Sequence, residues 1–159
     1  MLVLTAAVLA TATLVALTAA DAAEVPGVVH WRGSELREYG RKLAPKIDKQ
    51  KVASERLAHW GNHLAMVAYR EATGEAEVHE TQADVFVVQA GNATLLVGGE
   101  VENGRTTAPN EVRAPSIKGG ERKALAPGDI VHIPAKVPHQ LLLEPGARFT
   151  YFVVKVDTP

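Results

Sequence analysis

The chain opens on an uncharged run, residues 2–20, built of Leu, Val, Ala and Thr. A more polar stretch follows to about residue 61. Within it Ser34 suits a helix N-cap, and the acidic residues after it would lie in the first turn, where the helix dipole favours them. Gly40 weakens such a helix and Pro45 ends it, so the spacing predicts one short helix over 34–44 and a polar link through Lys46–Lys51. From about Asn62 the pattern shortens. His63–Glu71 is mostly apolar, as expected of a strand buried on both faces. Glu75–His79, Asp84–Gln89, Ala93–Val97, Glu121–Leu125, Asp129–Ile133, His139–Leu143 and Phe149–Val156 read as further strands. Turn signals separate them: Ala72-Thr-Gly74, Ala90-Gly-Asn92, Pro127-Gly128, Pro134–Pro138 and Pro145-Gly146. Gly98–Gly120 is polar and broken by Gly and Pro, which predicts a long loop with at most a short strand over Glu111–Ile117.

Many short strands with a turn about every ten residues, and one helix, predict an antiparallel sandwich or barrel. With 159 residues, 47 % of them hydrophobic, there is material for one well-filled core. The formal net charge of −1 leaves no basic surface for nucleic acid. Absence of cysteine removes disulfides, thiolate catalysis and Cys-ligated metals together. The apolar run, closed by Ala20-Asp-Ala22, reads as a secretory signal peptide cut after Ala22. The alternative is an uncleaved anchor, since about 19 apolar residues can span a bilayer. Either reading places the folded part outside the cytoplasm, secreted or periplasmic. The expected organisation is a signal peptide over 1–22, an N-terminal extension with the helix over 23–61, and a β domain over 62–156.

One stretch carries a more specific pattern. Gly128, Pro134 and His139 keep the spacing of a Gly, five residues, Pro-x-Gly, two residues, His. Upstream, Glu77-Val-His79, four residues, Asp84, six residues and Gly91 keep the spacing of a His-x-His, Glu, Gly motif. Over about residues 62–156 the chain therefore resembles the cupin superfamily, and most closely its small secreted bacterial members of unassigned function. The resemblance implies an all-β, double-stranded jelly-roll barrel. It departs at four places: Glu77 for the first His, Asp84 for Glu, Lys136 for the second Gly, and Leu143 for the usual Asn.

The resemblance implies a metal centre, and strand geometry agrees with it. Positions two apart on a strand face the same side, so Glu77 and His79 project together. Asp84 opens the next strand, and Phe86 and Val88 continue its inward face. His139 begins a strand elsewhere. The expected ligands are thus His79, His139, Asp84 and Glu77, around one divalent ion: Fe, Mn, Ni or Zn. Asp is a methylene shorter than Glu, so Asp84 is either a ligand or a partner of one; Glu77 is either a ligand or a general base. Gln82 and Phe86 are candidates to touch a substrate. His132 alternates between apolar neighbours without a clear facing. His59, Trp60 and His63 read as surface or barrel-end residues. Glu111 and Arg113 read first as a solvated loop pair, with a cover over the barrel mouth as the alternative. Leu141–Leu143 and Phe149–Val154 are core, or the interface of a homodimer. The functional expectation is a protein that acts on a small molecule with this metal; the alternatives are a non-catalytic small-ligand-binding module and a degenerate cupin without metal.

Overall fold

The computed structural model describes residues 25–158, so the apolar run and its cleavage position lie outside the described residues. Val25–His30 contains one turn, in which Val28 N–H donates to the Val25 carbonyl at 3.1 Å. Trp31 onward forms a separate compact unit. No helix among the described residues is long and apolar enough to cross a membrane.

The second unit begins with helix α1, Gly33–Leu43. A single 3-10 turn, Ala44–Lys46, follows it and contains Pro45. Thirteen strands come next: β1 Val52–Trp60, β2 His63–Arg70, β3 Ala76–His79, β4 Gln82–Ala90, β5 Ala93–Val97, β6 Glu100–Glu102, β7 Arg105–Ala108, β8 Glu111–Ala114, β9 Ser116–Lys118, β10 Glu121–Leu125, β11 Ile130–Ile133, β12 His139–Leu142 and β13 Phe149–Asp157. They form a five-stranded sheet in the order β1-β2-β13-β4-β11 and a six-stranded sheet in the order β10-β5-β12-β3-β8-β7, with β6 and β9 as a separate pair.

The core lies between the two larger sheets. Ala68, Phe86, Val88, Phe149, Tyr151 and Val153 come from the first, and Leu95, Leu125 and Leu141 from the second. Phe149 and Leu95 are wholly buried; such side chains each stabilise the fold by about 1.5–3 kcal/mol. β2 is apolar on both sides because both sides are covered. Met66 and Ala68 face the core, while Val67 and Tyr69 face outward onto Leu36 and Leu43 of α1. Gly40 lets the helix lie close: a Cβ there would stand 2.7 Å from the Thr150 hydroxyl.

Three local expectations are corrected. The helix is capped two residues earlier than Ser34, by the Glu35 carboxylate accepting from the Arg32 N–H at 3.1 Å. Val52–Trp60, which the polar pattern left in the extension, is the outer strand of the first sheet and pairs with β2 along its length. Its residues alternate between exposed and half-buried with few apolar anchors, so the strand period is faint. Most of Gly98–Gly120 is not a loop. It is folded into β6, β7, β8 and β9, and β8 joins the six-stranded sheet beside β3.

Candidate metal centre

The two-residue period of the strands sends one set of side chains into the space between the sheets. On β13 that set is Phe149, Tyr151 and Val153, then Lys155. On β4 it is Val88, Phe86, then Asp84. The first members are the apolar core and the last are charged, so one end of the interior is oil and the other is polar. Registry brings the polar members together: Lys155 lies opposite Asp84, His139 opposite Glu77, His79 opposite Glu111 and Glu77 opposite Arg113.

His79 is 3 % exposed. Its Nδ1–H donates to the Glu111 carboxylate, 2.8 Å from both oxygens. This fixes the ring so that Nε2 faces the interior. There Nε2 lies 3.5 Å from Glu77 Oε2, 3.3 Å from Asp84 Oδ2 and 2.8 Å from Lys155 Nζ. A nitrogen-to-nitrogen contact that short holds one N–H between the two atoms, whichever of them carries it. His139 is tied in the same way. Its Nδ1–H donates to the Val137 carbonyl at 3.1 Å, and its Nε2 is buried with no hydrogen-bond partner. That orphan nitrogen lies 3.9 Å from Glu77 Oε2 and 3.8 Å from Asp84 Oδ2. Burial holds the His139 pKa below its ordinary value, so the ring is neutral and Nε2 carries a lone pair.

The carboxylates are held as anions. Burial works against ionisation of Glu77, but its bond to His79 and the nearby charge of Arg113 outweigh it and keep the group well below the usual carboxylate range. Arg70 adds a bond to Glu77 Oε1 at 3.2 Å, and Arg113 pairs with the same oxygen. Asp84 is 2 % exposed. Desolvation raises it, yet the bonds to His79 and Lys155 bring it below its ordinary value. Lys155 Nζ donates to both Asp84 oxygens, at 2.8 and 2.9 Å. For His79, burial lowers the pKa, while hydrogen bonds to Asp84 and Glu77 raise it, to about 9.

Donor atoms of Glu77, His79 and His139 all lie within 4.8 Å of one another, close enough to converge on one ion. Two imidazoles and a carboxylate suit a divalent first-row metal. The unpartnered Nε2 of His139 and the His79 Nε2 fixed by Glu111 fit that use, because each ring already presents the nitrogen a metal needs. Beside the cluster lies a cavity of about 410 Å³. Met66, Ala68, Phe86 and Val153 form its apolar wall, and Arg113 and Lys155 bring charge to it.

Solved structures share this architecture. The protein TT1209 of Thermus thermophilus gives a TM-score of 0.53 at 20 % identity, over 75 % of this chain and 95 % of that one. An uncharacterized conserved protein with a double-stranded beta-helix domain from Klebsiella pneumoniae gives 0.50 at 15 % identity, over 69 % and 80 % of the two chains. The fold is a double-stranded β-helix. A Cupin 2 conserved barrel domain protein from Salinispora arenicola gives 0.47 at 16 % identity, over 69 % and 78 %. No protein-family model matches the chain, and no curated protein matches its sequence. At such identities the likeness is one of fold and carries no reaction with it.

Within this fold, Glu77, His79, Asp84 and His139 are brought to one place, but not in one role. Asp84 has both oxygens on Lys155, and it stands outside the three-residue set whose donors converge. Phe86 lines the cavity and meets the His139 ring edge-on, with centroids 6.2 Å apart. Gln82 has the inward parity but stands at the strand end, where its amide donates to Asp157 at 2.7 Å; it does not reach the cluster. His132 is exposed, and His63 stacks on Trp60 away from the centre. Glu111 and Arg113 are not a solvated pair. They are cross-strand neighbours of His79 and Glu77 and belong to the site. Lys155 is an addition to the sequence reading. Its signal was present in the alternation Phe149, Tyr151, Val153, Lys155, which carries an inward-facing apolar series onto a cation.

Proposed function

We propose that this cupin barrel holds one divalent metal ion on His79, His139 and Glu77, and binds or turns over a small molecule in the adjoining cavity. The observation that carries the reading is the buried, unpartnered Nε2 of His139, within 4.8 Å of the donors of His79 and Glu77. A metal bound there would act as a Lewis acid, or in a redox-active case as an oxygen-activating centre. The chain's own residues would do the rest. Glu111 holds the His79 tautomer, Arg70 and Arg113 keep Glu77 ionised and aimed, and the wall of Met66, Ala68, Phe86 and Val153 excludes water from one side of the cavity.

Metal analysis after refolding with Mn, Fe, Ni or Zn tests the reading. About one ion per chain is expected for wild type and none for the His79→Ala, His139→Ala double variant. Substoichiometric metal in wild type, or an equal metal-induced melting shift in both proteins, would refute it. A second reading has its own observation. Lys155 Nζ already supplies a cation to Asp84 and His79, as a binding module without metal would require. The same titration separates the two.

We also propose export. The uncharged run 2–20 and Ala20-Asp-Ala22 support cleavage after Ala22. N-terminal sequencing of protein from the native envelope is expected to begin at Ala23. Full-length chain found only in membranes would favour the anchor instead.

A further inference from the structure

We propose that the cavity beside the cluster takes a small organic anion with an apolar body, the negative group lying against Arg113, Lys155 and the metal-bearing face. This rests on the metal reading above and extends it to the class of ligand.

The argument begins with charge. Around the cluster stand three carboxylates, Glu77, Asp84 and Glu111. Against them stand three positive charges: Arg70, Arg113, and the one proton shared in the His79–Lys155 contact. At the cavity mouth Glu75 is matched by Arg105 at 2.8 Å. The site is therefore balanced among its own side chains. A divalent ion changes this. When the metal takes the His79 Nε2 lone pair, the shared proton stays with Lys155, which remains on Asp84. Nothing anionic is left over to answer the two charges the ion brings.

That excess would sit where His79 and Asp84 are almost fully buried and Arg113 and Glu111 are only about a quarter exposed. Unmatched charge in such a place is costly, and water at the open side screens it only partly. A ligand with one or two negative charges restores the balance. Arg113 offers a planar donor fork, and Lys155 a compact ammonium. The rest of the wall sets the other half of the ligand. Met66, Ala68, Phe86 and Val153 offer no hydrogen bonds and suit hydrocarbon, while Gln50, Ser54 and Thr73 leave a polar strip elsewhere on the lining. A volume of about 410 Å³ falls in the range of small-molecule sites.

The test uses matched pairs on the full mature chain: butyrate, benzoate and malonate against butyramide, benzamide and malonamide. Mn(II) occupancy is first counted by electron paramagnetic resonance. A protein that takes no Mn fails the metal reading itself, before any anion is added. On Mn-loaded protein, calorimetry is expected to show at least one carboxylate binding about tenfold or more tighter than its amide, the difference between a charge-assisted and a neutral hydrogen-bond set. On metal-free protein that gap is expected to shrink severalfold. Mn is also expected to relax the protons of the bound carboxylate, which places it at the centre. The proposal is overturned if no carboxylate outbinds its amide on loaded protein, if the gap is the same without metal, or if the bound anion's protons escape the paramagnetic effect. Arg113→Gln at full Mn occupancy is expected to narrow the gap; an unchanged gap would place the anion elsewhere and also overturn it.

Discussion

Lys155 Nζ lies 2.8 Å from His79 Nε2, so a lysine and a candidate metal ligand share one lone pair. A metal at His79 must break that contact. Lys155→Met is therefore expected to raise Mn affinity by about tenfold or more, the worth of a hydrogen bond to a charged group. Without metal the same variant takes from buried Asp84 its closest counter-charge and leaves it His79 alone at 3.3 Å, and is expected to lose about 3 kcal/mol of stability, which Asp84→Asn should largely restore. Mn binding isotherms and urea denaturation measure both effects. An unchanged affinity would mean that Lys155 and metal do not compete.

Glu111 acts on the same imidazole from its other side. Glu111→Gln exchanges a carboxylate for an amide opposite Nδ1–H and weakens the hold on ring orientation and basicity. Metal affinity is expected to fall by about 10- to 100-fold with the fold intact. Affinity by competition with a chelator, beside an unchanged far-ultraviolet circular dichroism spectrum, checks this.

Metal binding at His79 moves a proton without releasing it. The His79 pKa is raised to about 9, so the His79–Lys155 contact holds its proton through the neutral range, and Lys155 keeps that proton when a metal takes Nε2. Mn affinity is therefore expected to change by less than about tenfold across the neutral range. His139, lowered below its ordinary value, adds no slope there. Mn isotherms across the neutral and mildly alkaline range decide it; a climb of about tenfold per pH unit would show that the proton leaves the site.

The turn before His139 carries a cost that one substitution should relieve. Lys136 has φ +66°, in the left-handed region, at the position where the cupin pattern has glycine. Its N–H donates to the His79 carbonyl at 2.8 Å, so the turn also braces a ligand strand. Lys136→Gly is expected to stabilise the protein by up to about 1 kcal/mol, the steric cost exceeding glycine's entropic one, and Lys136→Val to destabilise it. Gly91 gives the contrast. Its φ is +78°, and a Cβ there would land on the Arg148 carbonyl, so Gly91→Ala is expected to cost about 2 kcal/mol or more. Melting curves of the three variants test the set.

Much of the double-stranded β-helix was legible along the chain because a strand's period is local. Alternation and turn residues marked β2 to β5 and β10 to β13, and motif spacing picked out Glu77, His79, Asp84 and His139 as neighbours. What spacing could not assign was the partner of each. Asp84 sits with the histidines, yet it is held by Lys155 from a strand 71 residues away. Glu111 and Arg113 come from a segment whose glycines and polar residues read as loop, and they enter the site only because β8 pairs with β3. Gln82 kept the right parity but lies past the end of the interior, and parity alone does not say how far the interior extends. On the strands that the pattern marked, the inward side chains could be told from the chain alone, because that depends on each residue and its near neighbours. Which inward charges meet was settled by the fold, because cross-strand registry joins residues far apart in the chain, and ion pairs and lone pairs depend on those distances.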